Sequence, residues 1–381
     1  MLYITIFFAK LTFSIIKLLG IGSGYTWPGY IARLLRPSIL NDYTKKFSTK
    51  YIFVTGTNGK TTTSKLITHI LTKESYTVIS NKSGANLLNG IVSALILDSN
   101  LFSNKQPDYC VIEVDELTLP ELLKYIEPKI LVLLNLSRDQ LDRYGEVDSI
   151  LDKWIPAIKP LKNMMLVLDR NQREFDQIPT IYTGHVFYFD SELENLGKTN
   201  LMGDYNAKNL NAALLVCGAL GIGKERCFHA LADFSVAFGR GEVIDFKKNN
   251  FRLFLAKNPS SFNNNLDLLV SGDVVYDSLL IVLNDEVRDG RDVSWIYDIS
   301  SEKLGAACLS KNVYVSGLRA YDMATRLQYA NVALPTVKVI PDLKQALEDV
   351  VDSPATHEIA VLPNYSAMLE MRKLLTGKEI L

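Results

Sequence analysis

Short apolar runs and segments of helical spacing alternate along the first half of the chain. The runs do not alternate between apolar and polar residues, which is typical of strands in a parallel sheet that is covered on both faces. The predicted strands are Tyr51–Thr55, Asp108–Val114, Lys129–Leu134 and Met164–Leu168, and Thr61–Lys73 is a predicted helix. This order of elements predicts an α/β fold with a mostly parallel sheet.

A second set of alternating elements begins near residues 239–241. Its predicted strands are Phe251–Ala256, Leu279–Leu283, Val313–Ser316, Val337–Ile340 and Glu358–Leu362, and its predicted helices are Ala320–Tyr329, Pro341–Val351 and Tyr365–Leu375. Roughly 140 residues is an ordinary domain size. We therefore divide the chain into an N-terminal helical and connector segment (1–46), a central domain (47–238) and a C-terminal α/β domain (239–381).

The N-terminal residues 2–22 form an apolar run that Lys10 and Lys17 interrupt. No uncharged stretch reaches the roughly 18 residues that a spanning helix needs. The lysines follow the first apolar residues, whereas a signal peptide carries its charge before them. Tyr3, Ser14 and both lysines lie close to one helical stripe. We expect a helix that packs on its own protein; a helix that lies on a membrane surface is the alternative.

Composition and charge exclude two broad classes. Of 381 residues, 48% are hydrophobic and the formal net charge is −1, so the chain is not disordered and has no global basic field for nucleic acid. None of its four cysteines has C-x-x-C spacing, which argues against a zinc ribbon and favours a reducing cytoplasm. Cys110 and Cys217 lie in apolar runs and are expected in the core.

The strongest chemical signal follows the first predicted strand. The segment reads Gly56-Thr57-Asn58-Gly59-Lys60-Thr61-Thr62 and opens a predicted helix. A glycine turn at a helix N-terminus directs backbone N–H groups at phosphate oxygens. Lys60 would contact the β- and γ-phosphates of ATP, and the hydroxyl of Thr61 or Thr62 would hold Mg²⁺. A glycine-rich turn capped by threonine is the alternative, and it leaves the lysine without a role.

This loop is shorter than the standard G-x-x-x-x-G-K-[ST], and VTGTNGKTTT resembles the loop of the Mur ligase superfamily. That superfamily comprises the peptidoglycan amino-acid ligases and folylpolyglutamate synthase. The resemblance implies a P-loop central domain that activates a carboxylate as an acyl phosphate, which an amine then attacks. It also implies that Glu113, at the end of a predicted strand, binds Mg²⁺, an ion that prefers oxygen ligands.

Two further segments support the resemblance. Residues 135–145 are similar to N-x-T-x-D-H-L-D-x-H-G, whose first histidine is a metal ligand in the superfamily; Gln140 stands there, and its neutral amide oxygen is a weaker ligand than a carboxylate. Residues 203–213 match G-x-x-N-x-x-N-x-x-A-A, which implies nucleotide contacts for Asn206 and Asn209. These two share a helix face, and helix capping is the alternative role for Asn206.

Within the superfamily, R-D-Q-L-D-R-Y-G-E resembles the MurT family, the ATP-dependent subunits of lipid II isoglutaminyl synthase. The resemblance runs from about Gly22 to the end, and it implies a Rossmann-like α/β C-terminal domain. The segments of the C-terminal half that carry it are residues 239–242, 256–259, 284–285, 289–298 and 316–327.

The MurT resemblance implies a reaction and a partner. The family phosphorylates the α-carboxylate of D-glutamate in the lipid II stem peptide, and ammonia from a partner glutaminase, GatD, then displaces the phosphate. In this chain neither the cysteines nor the four histidines form a nucleophile–base group, so ammonia would come from the partner of a heterodimer. Besides Lys60 and Glu113, the predicted catalytic residue is Asp292, which would complete the partner's Cys–His pair. Asp289 is the second candidate, although Asp289-Gly290 is also a good turn pair.

One departure from the family affects the expected cofactors. MurT chains carry a four-cysteine zinc ribbon in the central domain, whereas the stretch between Leu168 and Gly203 is short and has no cysteine. We expect ATP and Mg²⁺ but no zinc, and a cytoplasmic enzyme near the inner membrane face. Two alternatives remain open: a Mur-type ligase that adds an amino acid, and a nucleotide-binding scaffold that activates a glutaminase.

Overall fold

The chain forms two six-stranded sheets with helices on their faces. A computed structural model describes residues 2–19, 24–47, 49–81, 85–98, 106–137, 147–192, 194, 199, 201–234, 239–353 and 357–378. The prediction of an α/β fold with a mostly parallel sheet is confirmed. The proposed boundary at residue 238 lies outside the described residues.

The first sheet is parallel throughout and has the strand order β2-β3-β1-β4-β5-β6. Its strands are β1 Lys50–Thr55, β2 Val78–Ser80, β3 Tyr109–Glu113, β4 Ile130–Leu133, β5 Met165–Asp169 and β6 His185–Phe189. The central strands are buried along almost their whole length, which explains their continuous apolar runs. The sequence predicted the four inner strands and missed both edge strands. β2 has only three residues, and β6 is largely exposed.

Helices cover both faces of this sheet. They are α4 Lys60–Lys73, α5 Leu88–Asp98, α6 Leu119–Leu123, α7 Val147–Ile158, α8 Ile178–Ile181, α9 Asp204–Ala219 and α10 Lys224–Leu231. On one face α4 packs against α9 and α10, with Leu66, Ile70 and Val216 fully buried. On the other face α5, α6 and α7 contribute to a core that contains the fully buried indole of Trp154. All four cysteines of the chain are buried, as expected for Cys110 and Cys217.

The second sheet has the order β11-β10-β9-β12-β8-β7 and is parallel except for the β7–β8 hairpin. Its strands are β7 Arg240–Phe246, β8 Asn249–Phe254, β9 Ser278–Val282, β10 Asn312–Ser316, β11 Val337–Val339 and β12 Glu358–Pro363. Its helices are α11 Pro259–Val270, α12 Ser301–Cys308, α13 Ala320–Tyr329, α14 Leu343–Val351 and α15 Tyr365–Thr376. The five predicted strands are present, and the missed strand is the partly exposed edge strand β7.

Three helices precede the first sheet: α1 Leu2–Leu19, α2 Trp27–Leu35 and α3 Ile39–Lys46. The connector part of the predicted N-terminal segment (1–46) therefore contains α2 and α3. Helix α2 packs closely on α5, where Gly29 N donates to Ser93 Oγ at 2.7 Å. The expected packing of α1 is restricted to a narrow face, because only Thr5, Ile6 and Ala9 are buried. Among the described helices, α1 alone is long and apolar enough to cross a membrane, and 17% of it is buried.

The close approach of α2 to α5 predicts that Gly29→Ala destabilises the protein. A Cβ at Gly29 would lie 1.9 Å from Asn89 O, so the two helices must separate. We expect the free energy of unfolding, measured in urea, to fall by about 1–3 kcal/mol. Gly218→Ala in α9 is the matched control, because nothing lies within 4 Å of its Cβ position. A Gly29→Ala protein as stable as the control would show that the helices have room to move.

Candidate active site

The glycine-rich loop between β1 and α4 can be built only with glycine at two positions. Gly56 has φ +134° and Gly59 has φ +89°, which are strained for other residues. A Cβ at Gly59 would lie 2.1 Å from Asn209 Oδ1, and a Cβ at Gly56 would lie 2.8 Å from Asn135 O. The backbone therefore makes the tight turn that brings its N–H groups to the start of α4.

The segment after β4 holds this loop in place. Asn58 N donates to Asn135 Oδ1 and Asn135 Nδ2 donates to Asn58 O, both at 2.9 Å. Thr57 Oγ1 donates to Ser137 O at 3.2 Å and accepts from Ser137 N at 3.0 Å. The first residues of the motif at 135–145 thus position the phosphate loop. Gln140 in the same motif lies outside the described residues.

Lys60 is the buried cation of the loop, with 7% of its surface exposed. Its Nζ donates to Gly56 O at 2.5 Å and lies 3.1 Å from both carboxylate oxygens of Glu116. Burial raises the pKa of Glu116, and the nearby charges of Lys60 and Lys257 oppose that rise. Glu116 occupies the counter-ion position that a nucleotide phosphate would take beside this lysine.

A second acidic group lies beside the helix start. Thr61 Oγ1 donates to Glu113 Oε2 at 2.9 Å, and Glu113 is buried at the end of β3. Asn81 fixes this strand end: its Oδ1 accepts from Glu113 N at 2.8 Å and its Nδ2 donates to Glu113 O at 2.7 Å. A hydroxyl and a carboxylate side by side are suitable ligands for Mg²⁺, which usually completes its shell with phosphate and water.

Two further observations test the fit of a Mg²⁺–nucleotide group. The hydroxyl of Thr62 is buried and has no hydrogen-bond partner among the described residues, so it is available to a phosphate oxygen. No cluster of three or more His, Cys, Asp or Glu side chains occurs in the described part of the chain. The oxygens of Thr61 and Glu113 fit an ion whose remaining ligands are phosphate and water.

A cavity of about 200 Å³ opens from the phosphate loop and is closed on one side by the C-terminal half of the chain. Its lining includes Asn58 and Gly59 of the loop, and Ser260 and Asn264 of α11. Asn258 Nδ2 donates to Asn58 Oδ1 at 3.3 Å across the same gap. The site therefore lies between the two sheets, and its completion depends on their contact.

The two asparagines of α9 have different surroundings. Asn209 lines the cavity, and its Oδ1 accepts from Thr63 Oγ1 at 3.3 Å. Asn206 lies behind it: its Oδ1 accepts from Asn209 Nδ2 at 3.3 Å and its Nδ2 donates to Met202 O at 2.8 Å. Asn209 is thus placed for nucleotide contact, whereas Asn206 does not cap the helix and instead holds the amide of Asn209.

The two candidate aspartates of the C-terminal domain also differ. Asp292 is exposed and accepts from Ser294 N at 2.8 Å, and hydrogen bonds from Ser294 lower its pKa. Asp289 is buried, and its carboxylate accepts hydrogen bonds from both the backbone N–H and the hydroxyl of Ser366. Burial raises the pKa of Asp289. Asp292 is therefore the one whose carboxylate is accessible from outside.

The sequence patterns missed several residues that build this site. Glu116 contacts Lys60, Asn81 contacts Glu113 and Asn258 contacts Asn58, and each contact joins residues that are distant in sequence. Asn258-Pro259 does carry a local signal, because asparagine before proline is typical of a helix N-cap, and α11 begins there with a capping box. That signal predicts a helix start and not a contact with Asn58, 200 residues away.

Comparisons with known proteins agree with this arrangement. The family model of the Mur ligase middle domain matches residues 54–178, and that of the MurT ligase C-terminal domain matches residues 255–368. The lipid II isoglutaminyl synthase (glutamine-hydrolyzing) subunit MurT of Staphylococcus aureus strain COL is 28% identical, over 91% of this chain and 92% of its own. The MurT subunit of Streptococcus pneumoniae strain R6 is 26% identical, over 94% of each chain.

A solved structure shows the same fold. The MurF ligase of Thermotoga maritima in complex with ADP superposes with a TM-score of 0.69, covering 90% of this chain and 82% of the other. At 16% identity this likeness concerns the fold alone.

The position of Lys60 predicts that Lys60→Ala weakens ATP binding roughly ten-fold or more, because a charged hydrogen bond to phosphate is lost. Isothermal titration with a non-hydrolysable ATP analogue measures this affinity. Lys159→Ala removes an exposed lysine and is the matched control. The double variant Lys60→Ala, Glu116→Gln separates lost phosphate contact from the cost of an unpaired buried carboxylate. Unchanged affinity in both Lys60 variants would show that the loop does not bind phosphate.

The Thr61–Glu113 contact predicts that Glu113→Gln lowers the affinity for Mg²⁺. We expect the Mg²⁺ concentration that half-saturates ATP hydrolysis to rise roughly ten-fold, since a charged ligand becomes a neutral one. Glu225→Gln changes an exposed glutamate of α10 and is the control. The same Mg²⁺ dependence in both variants would remove Glu113 from the metal site.

Proposed function

We propose that this chain, a MurT-like member of the Mur ligase superfamily, amidates the α-carboxylate of D-glutamate in the lipid II stem peptide during peptidoglycan synthesis. The observation that carries the proposal is the convergence of Lys60, Thr61 and Glu113 at one end of the first sheet. The order of the two matched domains supports the same assignment. The lipid-linked substrate would place a cytoplasmic enzyme at the inner face of the membrane.

The proposed chemistry has two steps. An oxygen of the substrate carboxylate attacks the γ-phosphorus of ATP, ADP leaves, and an acyl phosphate forms. Ammonia then attacks the acyl carbon, loses a proton, and displaces inorganic phosphate, which leaves an amide. Lys60 offsets the charge of the transferring phosphoryl group, and the loop N–H groups hold it in line. Mg²⁺ held by Thr61 and Glu113 would supply additional charge neutralisation.

The ammonia would come from a partner subunit. All four cysteines are buried, and burial raises the pKa of the Cys308 thiol to about 12, so this thiol is a poor nucleophile. We propose a GatD-like class I glutaminase that forms a heterodimer with this chain. Its docking surface would surround Asp292. Val287 and Tyr297 flank this aspartate in sequence, the Tyr297 ring packs against that of Tyr329, and all three apolar side chains are exposed.

Assays with glutamine, ammonia and amino acids separate this function from its two alternatives. ATP hydrolysis that depends on glutamine, lipid II and the glutaminase supports the amidating ligase. Turnover with an amino acid but not with ammonia would identify an amino-acid ligase. Activation of the glutaminase without turnover of any acceptor would identify a scaffold.

The exposure of Asp292 predicts that its substitution slows amidation with glutamine but not amidation with ammonium. In the heterodimer, Asp292→Asn should lower glutamine-driven amidation by at least about ten-fold, because an aspartate that orients the partner's histidine is lost. Amidation with added ammonium should stay at the wild-type rate. Product formation is measured with both nitrogen sources at saturating ATP.

Asp289→Asn is the comparison, because Asp289 is bound to Ser366 and turned away from solvent. We expect Asp289→Asn to lower the stability measured by thermal unfolding. It should affect the rates of amidation with glutamine and with ammonium equally. Equal loss with glutamine and ammonium in Asp292→Asn would remove the partner role from Asp292.

A further inference from the structure

We infer that helices α1 and α2 form a docking surface for an anionic lipid bilayer, with α1 lying in the plane of the membrane. The inference deepens the proposed function, because it concerns how the enzyme reaches a lipid-linked substrate. The surface consists of the exposed apolar side chains of the two helices, and we call it the N-terminal apolar surface. Its members are Tyr3, Ile4, Phe7, Phe8, Leu11, Ile15, Leu18 and Leu19 of α1, and Trp27, Tyr30, Leu34 and Leu35 of α2.

The first argument is the orientation of α1. Eight of its large apolar side chains are exposed, and Leu18 is 87% exposed. Lys10 instead turns toward the protein, where its Nζ donates to Leu97 O at 3.1 Å, while Ser14 and Lys17 are exposed among the apolar residues. A helix that faced only water would have the opposite arrangement. The exposed side of α1 is therefore suited to an apolar environment.

The second argument is the charge and the aromatic side chains at the N-terminal apolar surface. Residues 1–41 contain four basic residues and no Asp or Glu, and the first acidic residue is Asp42. Arg33 and Arg36 are paired with Glu121 and Asp42, whereas the exposed Lys17 lies within the apolar face. Trp27 and Tyr30 pack edge to face at 5.9 Å, and both are about half exposed. Tryptophan, tyrosine and lysine beside an apolar face are typical of contact with lipid headgroups.

The third argument excludes a spanning helix. Ile6 and Ala9 are almost fully buried against the protein, and Lys10 is anchored to Leu97 on α5. To cross a bilayer, α1 would have to break these contacts and place Lys10 in the hydrocarbon core, which is costly. An in-plane position keeps every contact that the structure shows.

The fourth argument is a connection to the catalytic groups. A cavity of about 350 Å³ lies beneath α1 and is lined by Lys10, Phe13 and Tyr25 on one side and by Ser80 and Asn81 on the other. Asn81 holds the backbone of Glu113 through two hydrogen bonds. The cavity beneath the N-terminal apolar surface therefore adjoins the strand end that carries Glu113.

Vesicle flotation of the full heterodimer tests the inference. The probes are vesicles of phosphatidylcholine alone and vesicles with about one-third phosphatidylglycerol. We expect the wild type to float with the anionic vesicles and to be released by alkaline carbonate, as a peripheral protein is. Ile4→Ser, Phe7→Ser, Leu18→Ser in one chain should lower vesicle binding at least ten-fold, and Lys17→Glu should weaken binding to the anionic vesicles only.

The matched control is Val270→Ser, Val275→Ser, Leu309→Ser, which removes exposed apolar side chains from the C-terminal domain. It should float like the wild type. Failure of the wild type to bind either vesicle, unchanged flotation of the α1 variant, or resistance to carbonate would overturn the in-plane bilayer assignment. A wild type that dimerises through α1 in light scattering and does not float would assign the surface to a second copy.

Amidation assays distinguish this inference from the proposed function. The α1 variant should amidate a lipid-free muropeptide at the wild-type rate and bilayer-embedded lipid II at least ten-fold more slowly. Equal rates on the embedded substrate would contradict the docking role. A wild type that binds vesicles but amidates neither substrate would refute the proposed function and leave the docking surface standing.

Discussion

The buried amine of Lys60 is the constraint on which the catalytic end of the molecule depends. A lysine with 7% of its surface exposed must have a negative partner, because an unpaired buried charge is strongly destabilising. Glu116 provides that partner at 3.1 Å. The same amine also contacts a loop carbonyl, so loop geometry and charge balance are coupled. The carbonyl and the carboxylate together fix the position of the amine within the loop.

The topology of the first sheet explains why these groups meet. Strand order reverses on either side of β1, and such a reversal leaves a crevice at the carboxyl ends of the strands. The phosphate loop follows β1, Glu113 ends β3, and Asn135 follows β4. These three segments are far apart in sequence but adjacent in the sheet. Their adjacency brings the Lys60 amine, the Glu113 carboxylate and the Asn135 side-chain amide to one edge. The second sheet closes the crevice through Asn258.

The parts of this arrangement that the sequence predicts are those with local causes. A glycine loop between a strand and a helix fixes its own conformation, so residues 56–62 could be assigned directly. Edge strands such as β2 and β7 were missed because their burial is partial and their apolar pattern is weak. Glu116 was not assigned a role because nothing in the sequence distinguishes a carboxylate three residues beyond Glu113. Its role as a counter-ion follows only from the burial of Lys60. Asn258 contacts Asn58 only when the two sheets meet.

Helix α1 shows most clearly how tertiary contacts override a sequence pattern. On a helical wheel its lysines define a polar stripe, and a stripe of that kind normally faces water. Here Lys10 lies inward, because Leu97 at the end of α5 offers a carbonyl acceptor and Ile6 and Ala9 pack on the same side. Most of the large apolar residues of α1 are then left outside, together with Ser14 and Lys17. The bilayer inferred above would cover that exposure, whereas an uncovered apolar surface of this extent favours aggregation.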